Sequence, residues 1–85
     1  MTELEFDILD EIYFVTGYQE VREQLMVEEE ALQQGFRSLL QQGYVQQLYF
    51  DEGVQDYVKQ NAPDLDHIAK YHYLATKEGL LAHNL

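Results

Sequence analysis

Between residues 32 and 50 the hydrophobic period of the chain changes, and a glycine marks the change. Leu32, Phe36, Leu39 and Leu40 recur at the spacing of one helix face. Gly43 follows, and then "YVQQLYF" (residues 44–50) concentrates the aromatic and branched residues that suit a strand. A helix that stops at a glycine and hands over directly to a strand commits the chain to a mixed α+β fold. On the same helix Glu30, Gln33, Gln34, Arg37, Ser38 and Gln41 fall together on the opposite, outward face.

Upstream, Phe6, Ile8, Leu9, Ile12 and Tyr13 share one arc of a first helix, while Glu3, Asp7, Asp10 and Glu11 fill the other. That acidic face reads as the solvated side of a surface helix rather than a docking face. Thr16-Gly17 interrupts the pattern, and Thr16 with Gln19 three positions on predicts a capping box for a short second helix with Val21 and Leu25 inward. Met26 then stands where a tight connection favours glycine, and Glu28 falls near the N-cap of the third helix. The glutamates at 28, 29 and 30 complement the positive end of that helix dipole, which accounts for them better than metal binding does.

Downstream, "KYHYLA" (residues 70–75) predicts a second strand, and Thr76 caps a last helix carrying Leu80, Leu81 and Leu85. The connection between the strands is long for a hairpin. Gly53 and Asn61-Ala62-Pro63 punctuate it, and Val54, Tyr57 and Val58 sit at helical spacing, which predicts a short turn of helix there. No internal repeat or low-complexity tract is present.

With 85 residues the chain reads as one domain spanning 1–85, and 46% hydrophobic residues with a single proline place it among globular chains. Cysteine is absent, which excludes disulfides, thiolate metal sites and a cysteine nucleophile. No stretch approaches the ~20 apolar residues that span a bilayer, and the N-terminus has no signal-peptide pattern, so a cytoplasmic location away from membranes is expected. The formal net charge is -11, of which residues 1–27 contribute six net negative charges and residues 28–75 five. No segment is a basic arm, which disfavours unaided binding to phosphate backbones or anionic lipid surfaces.

Chemistry-bearing clusters are scarce. His67, His72 and His83 are the only imidazoles, and a strand residue His72 with Asp66 or His67 from the loop lacks metal-site spacing. No phosphate-cradling loop, nucleophile elbow or paired-carboxylate motif appears, so neither enzyme activity nor a cofactor or metal is expected. Tyr71 and Tyr73 alternate onto one sheet face, with Tyr49 on the partner strand. In the last helix Leu80 and Leu81 lie ~100° apart, so both cannot share one buried stripe. One leucine seals the core, and Leu81 and Leu85 with Tyr71 and Tyr73 form the candidate association surface.

The predicted order, three helices, strand, long loop, strand and helix, resembles a winged helix-turn-helix domain over nearly the whole chain. "LLQQGYV" (residues 39–45) is similar to the end of the recognition helix and first wing strand of winged-helix regulators. "YLATKEGL" (residues 73–80) resembles the Y-x-L-T-x-x-G phrase of MarR- and PadR-like transcriptional regulators. Three departures stand out: Ala75 replaces the usual leucine, the wing connection is expanded, and its tip is acidic rather than basic.

The resemblance implies a third helix that enters the DNA major groove, with Gln33, Gln34, Arg37, Ser38 and Gln41 as its recognition face, and dimer contacts through the terminal helices. Glutamine can pair with adenine and arginine with guanine, but affinity rests heavily on cations neutralising phosphates, and those are missing. The expected function is therefore an acidic winged-helix module that acts through protein association, with a protein partner or a second copy. A small DNA-binding transcriptional regulator is the alternative.

Overall fold

The computed structural model describes residues 1–85 and places four helices against a four-stranded antiparallel sheet. Helix α1 (Glu3–Glu11) starts at a capping box: Thr2 Oγ1 accepts from the Glu5 N–H at 3.1 Å, and Glu5 Oε1 accepts from the Thr2 N–H at 2.7 Å. Its buried face carries Ile8 and Leu9, with Ile12 just beyond its end. Phe6 and Tyr13, expected on that face, are half in water. Phe6 lies at the margin of the stripe, and Tyr13 falls past the last turn, where helical periodicity no longer applies.

The two-residue strand β1 (Thr16–Gly17) leads into α2 (Tyr18–Leu25). The expected cap forms one residue later than Thr16 and Gln19: Glu20 Oε1 accepts from the Gly17 N–H at 3.3 Å. Thr16 is unavailable because it is paired with Tyr73 in the sheet and its hydroxyl donates to the Phe14 carbonyl at 2.7 Å. Val21 is buried and Leu25 half-buried. Met26 turns the chain with φ of 54°, the left-handed region that disfavours a side chain. Helix α3 (Glu29–Gln42) follows, and Gly43 ends it at φ of 77°, with the Tyr44 N–H closing on the Leu39 carbonyl at 3.0 Å.

Strand β2 (Val45–Asp51) is paired on one side with β3 (Asp56–Lys59) and on the other with β4 (His72–Ala75), giving the order β1-β4-β2-β3. The predicted helical turn at Val54, Tyr57 and Val58 is instead this hairpin. Asp51 causes the reversal: its carboxylate accepts from the Gly53 N–H at 2.7 Å, its carbonyl accepts from the Gln55 N–H at 2.8 Å, and Gln55 takes φ of 57°. Strand period then replaces helix period, with Tyr57 opposite Phe50 and Val58 opposite Tyr49. The second predicted strand begins two residues late, because Ile68–Lys70 form a single 3-10 turn.

Gln47, almost wholly buried, fastens the long return loop to the sheet. Its amide nitrogen donates to the Asp64 carbonyl at 3.0 Å and to the Tyr73 hydroxyl at 3.1 Å, and its oxygen accepts from the Asp64 N–H at 2.7 Å. Tyr73 in turn donates to the Ile68 carbonyl at 2.7 Å and is 0% exposed, so it belongs to the core and not to an association surface. Burial, opposed by the Gln47 bond, raises the Tyr73 pKa far above the ordinary phenol value.

The core joins Ile8, Leu9, Val21, Leu32, Phe36 and Leu39 to the inner sheet face. Phe36 is packed between Tyr18 and Tyr73, at ring separations of 5.7 and 4.3 Å. Two glycines permit the close approaches: a Cβ on Gly35 would meet Ile8 Cδ1 at 2.7 Å, and one on Gly79 would run into the Tyr44 carbonyl. Thr76 caps α4 (Lys77–His83) by accepting from the Gly79 N–H at 3.0 Å. Leu80 packs on the core and leaves Leu81 58% exposed, with Leu85 fully so.

Candidate association and recognition surfaces

Of the five residues expected on the recognition face, four share the outer ridge of α3, and Ser38 does not. Ser38 turns toward α1, where its hydroxyl donates to Glu5 Oε2 at 2.6 Å, and Gln42 donates to the same oxygen at 2.9 Å. Glu5 is a buried carboxylate, so helical geometry placed Ser38 near the boundary and the partner's need for a donor drew it in. Burial by itself would raise the Glu5 pKa, but the bonds from Ser38, Thr2 and Gln42 together hold it below the ordinary carboxylate value.

Gln33, Gln34 and Gln41 remain on the ridge, but Arg37 is committed elsewhere. Its Nε donates to the Leu65 carbonyl at 2.9 Å, and its two terminal nitrogens donate to Gln34 and Gln33 at 3.2 and 3.4 Å. The guanidinium is thus folded along the helix and tied to the return loop. At the N-terminal end of the ridge Glu28, Glu29 and Glu30 are all exposed, with Arg22 3.7 Å from Glu29. Two of the chain's five cations are therefore engaged within the molecule.

The association surface is divided in a similar way. Leu81 and Leu85 are exposed as expected. Tyr71 is half-buried and donates its hydroxyl to Asp64 Oδ2 at 2.7 Å, and Tyr73 is inside. That bond raises the Tyr71 pKa and lowers that of Asp64. On the opposite sheet face Phe50, Tyr57 and His72 form a ladder of rings, with Tyr57 5.4 Å from Phe50 and 4.7 Å from His72.

One cluster was not expected from the sequence. His83 is 8% exposed and joins α4 to α1. Phe6 stacks on its ring at 4.1 Å, Tyr13 meets it edge-on at 5.6 Å, and the Tyr13 hydroxyl is 2.9 Å from Nδ1. Nε2 lies 3.3 Å from Asp10 Oδ1 but out of line for a hydrogen bond, which leaves a buried polar atom unmatched beside an exposed carboxylate. Next to this cluster Tyr13, Phe14 and Val15 are three consecutive apolar residues in water, with Phe14 84% exposed.

No group of three or more histidine and acidic side chains converges as a metal site would require. No helix is long and apolar enough to cross a membrane. Comparison with known proteins finds no matching family model, curated protein or solved structure.

Proposed function

We propose that the chain is an acidic winged-helix module that acts by binding another protein rather than by gripping DNA on its own. In this reading α2, the Met26 turn and α3 are the helix-turn-helix, β2 and β4 are the wing strands, and β3 is an added strand at the wing's edge. The observation that carries the reading is the state of the α3 ridge. Its one cation, Arg37, is bound to Leu65, Gln33 and Gln34, and its N-terminal end presents three exposed glutamates. Phosphate contacts supply most non-specific and much specific DNA affinity, and a ridge of this kind repels them.

The second reading, a small DNA-binding regulator, draws on the exposed Gln34 and Gln41 and the half-buried Gln33, whose amides have the chemistry to read base edges. Fluorescence anisotropy with mixed-sequence duplexes at low salt separates the two. The association reading expects no sub-micromolar binding. Sub-micromolar binding that weakens steeply with salt overturns it in favour of the regulator. Reversal of Glu28, Glu29 and Glu30 to lysine is expected to create measurable affinity.

A further inference from the structure

We infer that the outer side of α1, where it meets the end of α4, docks a basic segment of a partner protein, with Asp10 receiving an arginine or lysine cation beside the Phe6, His83 and Tyr13 rings. The inference rests on the association reading above and names the surface and the partner's chemistry.

Three observations converge there. His83 is held almost wholly out of water by two rings, yet its Nε2 has no aligned partner and faces Asp10 across 3.3 Å. With Nδ1 donating to the Tyr13 hydroxyl, Nε2 is the lone-pair nitrogen, and an incoming N–H donor shared between Nε2 and Asp10 relieves the cost of a buried ring nitrogen without a partner. Second, Phe6, Tyr13, Phe14 and Val15 leave apolar area in water over a short stretch, and three consecutive exposed apolar residues are uncommon where nothing binds. Third, Glu3, Asp7, Asp10 and Glu11, which by sequence alone read as a solvated helix side, supply four negative charges on the helix that carries the exposed Phe6, and no lysine or arginine precedes Arg22.

Rings edged by carboxylates match a guanidinium or ammonium on an apolar stem. The cation gains the ring face and the carboxylate together, and the stem covers the apolar area. A second copy of this chain fits poorly, because it brings the same net charge of -11 and has Arg22 and Arg37 already engaged. The wing's outer face is a weaker candidate. Its Tyr57 hydroxyl already lies 3.4 Å from His72 Nε2, and Asp51 and Asp56 each spend a carboxylate oxygen on the turn's own N–H groups.

The test uses the whole chain with three probes: a labelled peptide of arginine–leucine repeats, its serine–leucine counterpart, and a mixed-sequence DNA duplex. Saturable binding of the arginine peptide is expected, with the largest amide NMR shifts at Phe6, Asp10, Tyr13 and His83. Asp10→Asn is expected to weaken it about fivefold, the upper range for one exposed charge contact. Glu52→Gln, an equal loss of charge on the distant wing tip, is expected to leave it nearly unchanged, and both variants are checked for unaltered thermal melting. Equal weakening by the two variants, shifts spread over all acidic segments, equal binding of the serine peptide, or the same shifts on concentrating the chain alone would each overturn the inference. Failure to bind either peptide or DNA overturns this inference alone, whereas tight duplex binding overturns the association reading beneath it.

Discussion

Glu5 and Phe36 show how single side chains hold this fold together by opposite means. The Glu5 carboxylate is buried at the α1–α3 contact and satisfied by the Thr2 N–H, the Ser38 hydroxyl and the Gln42 amide. Because its folded pKa lies below the ordinary 4.5, the stability it contributes is complete above that pH and is lost as pH falls through the folded value. Asp64 acts with the same sign. Acid titration of the unfolding free energy is therefore expected to fall below about pH 4.5 and to fall less in Glu5→Gln, which also loses stability at neutral pH. An unchanged acid limb in that variant would show that other carboxylates carry the dependence. Phe36 contributes through burial: Phe36→Ala is expected to cost ~3–5 kcal/mol, the range for emptying an aromatic core site. Gln34→Ala, on the exposed ridge, is expected to change a denaturant midpoint by almost nothing. Similar losses in both would mean that the faces of α3 are misassigned.

Elements whose limits depend on local chemistry were legible in the sequence, and those that depend on distant partners were not. The helix stripe, Gly43 and the strand after it lie within one short run, and so do Thr76 and the helix it caps. The β3 strand was missed because Val54, Tyr57 and Val58 satisfy helical spacing as well as a hairpin does. The residue that turns the chain, Gln55, takes a positive φ without being glycine or asparagine. Tyr73 reads as an interface residue by composition, and only Gln47 and Ile68, brought in by folding, place its hydroxyl inside. The Phe6, Tyr13 and His83 cluster spans about the length of the chain, with Tyr13 and His83 70 positions apart, so no local signal marks it. The same dependence on distant contact governs how α4 docks. Gly79 lies against the Tyr44 backbone, which cannot yield as a side-chain tip can. Gly79→Ala would stabilise an isolated helix by roughly 0.8–1.0 kcal/mol. In the folded chain it is expected to destabilise instead and to lower the melting temperature. A raised melting temperature would mean that α4 docks more loosely than this geometry.

For the molecule as a whole, charge and apolar area compete over self-association. Leu81 and Leu85 offer each chain two exposed leucines, worth ~1.5–3 kcal/mol apiece when fully buried. Association costs roughly 4–15 kcal/mol in lost freedom, so that contact is weak before charge is considered. Two bodies of charge -11 separated by the intermediate molecular dimension of 26 Å repel, as point charges in pure water, by about 20 kcal/mol. At 0.01 M salt the screening length of ~30 Å is comparable with that separation and roughly 8 kcal/mol of the repulsion survives; at 0.1 M it is ~10 Å, and only about 1–2 kcal/mol remains. Near 1 M the term vanishes and the leucines act unopposed. The chain is therefore expected to be monomeric at low salt and to form a weak dimer as salt rises, with Leu81→Ser abolishing the dimer at every salt concentration. Sedimentation equilibrium over a concentration and salt series measures this. A dimer that dissociates as salt rises would place ion pairs, not leucines, at the contact.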